Sequence, residues 1–214
     1  MTEEEWLAGT SVYSLLFAAS QFSSERKTRL FVSGFARWHL RENNHPDFFR
    51  GIEILEHAAD GAASLASIES AFQSFGSGNV RDYEARGFGG EMMYLAQLLQ
   101  FSLPRPRRPS RYVGMIGDYE PEGILGLPQS GLAILRDIFG NPFRPTTLNP
   151  SWLTSTVVSL AQGIYDERAF DRMPILADAL QDAGCDSEEI LNHCRQLGEH
   201  IRGCWLIDLL TGRK

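Results

Sequence analysis

The chain has 214 residues, of which 43% are hydrophobic and 22% charged, a composition that excludes a fibrous repeat or a disordered chain. Its formal net charge of −7 at pH 7 disfavours phosphate backbones and acidic membrane surfaces unless positive charge is concentrated locally. A chain of this length is expected to form one domain or two small helical subdomains.

The N-terminus and the cysteines indicate the compartment. Residues 1–5 (MTEEE) are acidic, where a signal peptide would need a basic start followed by a long apolar run. The three cysteines form an odd set without a secretion signal, which argues against a disulfide framework. We therefore expect a cytoplasmic protein with reduced thiols and no membrane partner.

Helical patterns fill the N-terminal part of the chain. Thr2 and Glu5 have the spacing of a capping box, which predicts a short first helix that ends near Gly9. A second helix is expected to begin at Ser11, and a third follows Ser24. Its apolar face repeats at helical spacing: Leu30, Phe31, Phe35 and Trp38. Further helices are predicted in residues 46–61 and 64–103.

Residues 104–109 (PRPRRP) cannot continue a helix, because proline lacks an amide donor and biases its predecessor away from helical angles. The following stretch is irregular, with one short strand expected at residues 112–116. We therefore predict an N-terminal helical subdomain of residues 1–103, a connector of residues 104–128 and a C-terminal helical subdomain of residues 129–214. Alternatively, the two subdomains share one core.

The C-terminal part shows successive short helices. Pro174 lies at the first turn of one helix and Ser187 caps the next. A last helix is predicted to carry Ile201, Cys204 and Trp205. The sequence thus predicts a mainly all-α protein, a multi-helical orthogonal or solenoid-like array, with at most a minor strand or irregular segment near residues 110–127.

Several segments resemble a large paralogous family of uncharacterised planctomycete proteins. They are residues 1–8 (MTEEEWLA), 24–31 (SERKTRLF), 135–145 (LRDIFGNPFRP), 164–172 (IYDERAFDR), 176–180 (LADAL) and 200–205 (HIRGCW). The resemblance implies an intracellular, helical bacterial protein. It transfers no catalytic residue, because the family has no established activity. Relatives often place cysteines where this chain has residues 33–36 (SGFA), so thiol chemistry there is absent.

Histidines and cysteines gather near the C-terminus: Cys185, His193, Cys194, His200 and Cys204. His200 and Cys204, four apart on one predicted helix, can chelate a zinc ion, and Cys185 with Cys194 would complete a tetrahedron. However, the spacing matches no common zinc motif. Cys194 and Cys204 also fall on apolar stripes, so core packing is the favoured interpretation and no cofactor is predicted.

No catalytic residue is predicted either. Cys204, His200 and Asp208 share one face of the predicted last helix, but parallel side chains on a single helix rarely converge on one substrate atom. The chain also lacks a nucleophile elbow and a phosphate-binding glycine loop. The acids and arginines of residues 166–182 are expected to form an ion-paired surface. Arg144 is expected to hold a helix end or a carboxylate.

The densest basic segment comprises Arg105, Arg107, Arg108 and Arg111, with Tyr112 beside it. Such a segment could bind phosphates while the tyrosine stacks on a base. Alternatively, it is a connector that its arginines keep soluble. We expect a non-enzymatic helical module that binds another protein, as an accessory subunit of a larger bacterial assembly. The alternative is a protein that associates with nucleic acid, directly or through a complex, and the distant alternative is a metal-dependent enzyme.

Overall fold

The computed structural model describes residues 1–9, 15, 18–19, 24–39, 46–64, 66–67, 70 and 129–213. Within these residues there are eight α-helices and no strand. The helices are α1 (Glu3–Ala8), α2 (Glu25–His39), α3 (Pro46–Ala59), α4 (Gln129–Phe139), α5 (Ser155–Glu167), α6 (Met173–Asp182), α7 (Glu188–Arg195) and α8 (Trp205–Thr211). Short 3-10 turns, Pro150–Trp152 and Phe170–Arg172, precede α5 and α6. The all-α prediction is confirmed for this part of the chain.

The chain divides into two compact units. The first unit combines Met1–Phe22 with Pro128–Lys214, and the second is Ser23–Leu127. The first helix therefore belongs with the C-terminal helices, which differs from the predicted subdomain of residues 1–103. Most of the predicted helices of residues 64–103, and all of the connector and the minor strand, lie outside the described residues.

The second unit contains the pair α2 and α3, which pack against each other. Their buried apolar side chains include Phe31, Phe35 and Leu55. Arg37 on α2 donates to both carboxylate oxygens of Glu56 on α3, at 2.8 and 2.9 Å. Because Glu56 is buried, this ion pair places a hydrogen-bonded charge in the interior of the second unit.

The core of the first unit is an apolar cluster contributed by α5 to α8. It includes Trp152, Val157, Ala161, Ile164, Tyr165, Met173, Leu176, Ala177, Leu180, Cys185, Ile190, Cys194, Cys204, Leu206, Ile207 and Leu210, with Trp205 packed against it. Cys204 therefore shares this cluster with Leu180 and Ile190. Among the described residues, no helix is long and apolar enough to cross a membrane.

Polar contacts attach α1 to α4. The predicted capping box is present, since the Glu5 amide donates to the Thr2 hydroxyl at 3.2 Å and the Thr2 amide donates to Glu5 at 2.6 Å. At the other end of α1, Arg136 on α4 donates to the carbonyls of residues 6, 7 and 9 at 3.4, 2.8 and 3.2 Å. Arg144 pairs with Glu3 at 2.7 Å, which confirms that it holds a carboxylate.

Candidate functional site

Four side chains that carry acid, base or thiol chemistry converge inside the first unit. Asp137 lies on α4 and His193 on α7, while His200 follows α7 and Cys204 is the N-cap residue of α8. Their exposed fractions are 3%, 9%, 8% and 0%, in that order. One ligand atom from each lies within 4.8 Å of the others. We call these four residues the buried polar centre.

Helix α8 begins later in the chain than the sequence predicted. His200 and Cys204 do not lie on one helix, because α8 begins at Trp205 and residues 202–203 form a turn. Gly203 has a φ of 93° in this turn, a backbone conformation that residues with a Cβ atom rarely adopt. The turn still brings the Cys204 Sγ to 4.0 Å from the His200 Nδ1.

Asp137 links the other members of the centre. Its Oδ1 lies 2.6 Å from the His200 Nδ1 and 3.4 Å from the His193 Nε2. Its Oδ2 accepts a hydrogen bond from the Ile201 amide at 3.0 Å. The backbone contact fixes one carboxylate oxygen, so the other oxygen is left facing both imidazole rings.

His193 lies between the thiol and an outer layer of polar groups. Its Nε2 is 3.1 Å from the Cys204 Sγ. On the far side of the ring, the Trp205 indole N–H donates to the Nδ1 at 3.3 Å, and the Gln196 side-chain amide lies 3.2 Å from the same atom. The His193 ring centroid is 4.8 Å from those of both Trp205 and His200. These contacts determine the orientation of the imidazole.

Burial and the histidines set the ionisation of the acid and the thiol. Burial raises the pKa of the Asp137 carboxyl, but hydrogen bonds from His193 and His200, with the charge that either ring carries when protonated, outweigh it and leave that pKa lowered. Burial raises the pKa of the Cys204 thiol, and the nearby charge of Asp137 raises it further. In the absence of a cation, the centre therefore holds a carboxylate beside a neutral thiol.

The residues that the structure brings together differ from the zinc ligands that the sequence suggested. His200 and Cys204 are in the buried polar centre, whereas Cys185 and Cys194 lie in the apolar core. Burial raises the pKa of the Cys194 thiol to about 12, and the neighbouring Cys185 contributes. Both of these cysteines therefore pack as small apolar side chains in the core.

Asp137 was missed by the sequence analysis, although a signal for it exists. It is three residues from Ile134 and next to Ile138, both fully buried on α4. A carboxylate adjoining the apolar stripe of a helix needs a buried partner. That partner comes from residues more than fifty positions away, which spacing alone cannot reveal. Asp208, also considered with Cys204 and His200, is buried but is not a member of the centre.

The remaining predicted residues lie elsewhere. The exposed ion pairs of the C-terminal helices include Arg172 with Glu167 at 2.9 Å and Arg195 with Asp178 at 3.3 Å. These contacts agree with the predicted ion-paired surface. The basic segment, Arg105, Arg107, Arg108 and Arg111 with Tyr112, lies outside the described residues.

Comparisons with protein-family models, with curated proteins and with solved structures found no match to this chain.

Proposed function

We propose that this protein is a non-enzymatic helical module that binds another protein, as an accessory subunit of a larger bacterial assembly. The observation that carries the proposal is the enclosure of the buried polar centre. A nucleophile or a general base must reach a substrate atom, but each of its four residues is at most 9% exposed. A cytoplasmic location and membership of the planctomycete family are part of the proposal.

The surface of the first unit offers apolar groups for a partner. Ile175 is 57% exposed, and Leu197, in the bend after α7, is fully exposed. Single exposed apolar side chains are common on proteins, so they show where to test contact and do not define an interface. The basic segment of residues 105–111 is the basis of the nucleic-acid alternative, which rests on the sequence.

Thiol alkylation tests the enclosure. The folded chain is treated with a small alkylating reagent at neutral pH, and modified cysteines are identified by mass spectrometry. Cys204 should react only when the protein unfolds, because its side chain has no contact with solvent. The urea-unfolded chain is the control for reagent access. Alkylation of Cys204 in the folded chain at the rate of a free thiol would contradict the non-enzymatic assignment.

Affinity purification from the native host tests the binding role. We expect the wild-type chain to retain a stoichiometric partner that Leu197→Ser weakens, since the substitution removes exposed apolar surface without disturbing the core. Glu199→Ser, at an exposed polar position two residues away, is the matched control. Recovery of the wild-type chain alone, or together with nucleic acid and no protein, would count against this proposal.

A further inference from the structure

We propose that the buried polar centre binds one divalent transition-metal ion, zinc by its ligand chemistry, through Asp137 Oδ1, His193 Nε2, His200 Nδ1 and Cys204 Sγ. This inference goes beyond the proposed binding role and does not depend on it. It also differs from the zinc set that the sequence suggested, which included Cys185 and Cys194 in place of Asp137 and His193.

The ligand atoms all lie within 4.8 Å of one another, and they would have to adjust to reach the spacing of a tetrahedral site. Bond lengths of about 2.0–2.3 Å to zinc place the ligand atoms of a tetrahedron roughly 3.2–3.6 Å apart. The Cys204 Sγ lies 3.1 Å from His193 Nε2 and 4.0 Å from His200 Nδ1. The Asp137 Oδ1 lies 3.4 Å from His193 Nε2. The separation of 2.6 Å between Asp137 Oδ1 and His200 Nδ1 is that of a hydrogen bond, and it would lengthen around an ion.

The charges of the centre favour a cation. The carboxylate of Asp137 is enclosed in the centre, where its side chain lies beside both imidazole rings. A carboxylate and a thiolate together carry the two negative charges that neutralise a divalent ion.

Binding requires proton movements at Cys204, His193 and His200. The Cys204 thiol loses its proton to solvent as sulfur coordinates the ion. His193 coordinates through Nε2 only with its proton on Nδ1, where the Gln196 amide oxygen can accept it after a half-turn of that side chain. The Trp205 indole N–H, which donates to Nδ1 in the absence of an ion, has to turn away. His200 coordinates through Nδ1 only with its proton on Nε2 instead of on the atom that faces Asp137. The Ile201 amide, which donates to Asp137 Oδ2, supplies the outer hydrogen bond that orients a carboxylate ligand.

The ligand set identifies the class of ion and its role. One thiolate, two imidazoles and one carboxylate suit zinc, whereas calcium and magnesium prefer oxygen ligands throughout. Four protein ligands leave no open position for water, which is typical of structural zinc sites. Such an ion would join α4 to α7 and to the start of α8, and so tie together segments that lie far apart in the sequence.

The test uses the full chain without a polyhistidine tag, purified without chelators and measured for metal content. We expect about one zinc per chain, and X-ray absorption should show one sulfur with three nitrogen or oxygen neighbours. Replacement by cobalt should give tetrahedral visible bands and a thiolate charge-transfer band in the near ultraviolet. Cys204→Ser should abolish that band and weaken cobalt binding more than about 100-fold.

Cys194→Ser is the matched control, because Cys194 is also a buried cysteine of the first unit but lies outside the centre. It should keep the zinc and the charge-transfer band. A folded wild-type chain that carries no stoichiometric metal and gives no cobalt spectrum would overturn the proposal. Two or more sulfur neighbours, or loss of the band in Cys194→Ser, would also overturn it. If Cys204→Ser fails to fold, the absorption measurement on the wild-type chain decides.

Discussion

Trp205 links the buried polar centre to the apolar core. Its indole N–H donates to His193, and its ring packs against the core cluster of the first unit. Gly140, at the end of α4, lies so close that a Cβ would approach the indole to 3.1 Å. The φ of 60° at Gly140 adds a second reason for glycine at this position. Trp205 therefore depends on two contacts, the hydrogen bond to His193 and the close approach of Gly140.

Trp205→Ala should lower the free energy of unfolding by about 3 kcal/mol, the lower end of the usual range for emptying an aromatic site, because Trp205 is only half-buried. Trp205→Phe should cost less, since it retains most of the packing and loses only the hydrogen bond to His193. Urea denaturation followed by circular dichroism measures both. Equal losses for the two variants would show that the hydrogen bond, and not the packing, accounts for the contribution of Trp205.

Among the secondary-structure elements, features that depend on local signals were predicted from the sequence, whereas features that depend on long-range contacts were not. The capping box of Thr2 and Glu5, the Ser187 cap and Pro174 in the first turn of α6 were predicted because each acts within one turn of its helix. The start of α8 was misplaced, because the turn at Gly203 is fixed by the contacts that His200 and Cys204 make in the folded unit.

The end of α1 illustrates such a long-range contact. Arg136→Ala should destabilise the first unit by about 2 kcal/mol, since a charged donor to three terminal carbonyls is lost. Amide hydrogen exchange should accelerate in α1 more than in α5. Arg144→Ala is the control, because Arg144 is exposed and an exposed ion pair contributes at most about 1 kcal/mol. Unchanged exchange in α1 would contradict the capping role of Arg136.

The basic segment allows a direct test of the nucleic-acid alternative. Replacing Arg105, Arg107, Arg108 and Arg111 by alanine should leave the circular dichroism spectrum unchanged, because a proline-rich segment buries little. If the chain binds nucleic acid through this segment, the affinity should fall and the salt dependence should flatten. Filter binding at several salt concentrations measures both quantities. Equal binding by the two proteins would exclude the segment as the nucleic-acid contact.

For the whole molecule, helical periodicity predicted the all-α class that the described residues show. The grouping of α1 with the C-terminal helices was not predictable, because no local pattern indicates that Arg136 reaches the carbonyls of α1. The candidate site was predicted in part. His200 and Cys204 were identified from their residue types, whereas Asp137 becomes recognisable only when α4 packs beside them.

Thermal unfolding with and without bound metal tests the central claim most directly, namely that a metal ion at Asp137, His193, His200 and Cys204 stabilises the first unit. Removal of the ion by a strong chelator should lower the Tm of the wild-type chain, and one equivalent of zinc should restore it, because binding to the folded state alone adds to stability. Cys194→Ser should behave in the same way, while Cys204→Ser should unfold at one temperature regardless of zinc or chelator. A wild-type Tm that neither chelator nor zinc changes would contradict the account.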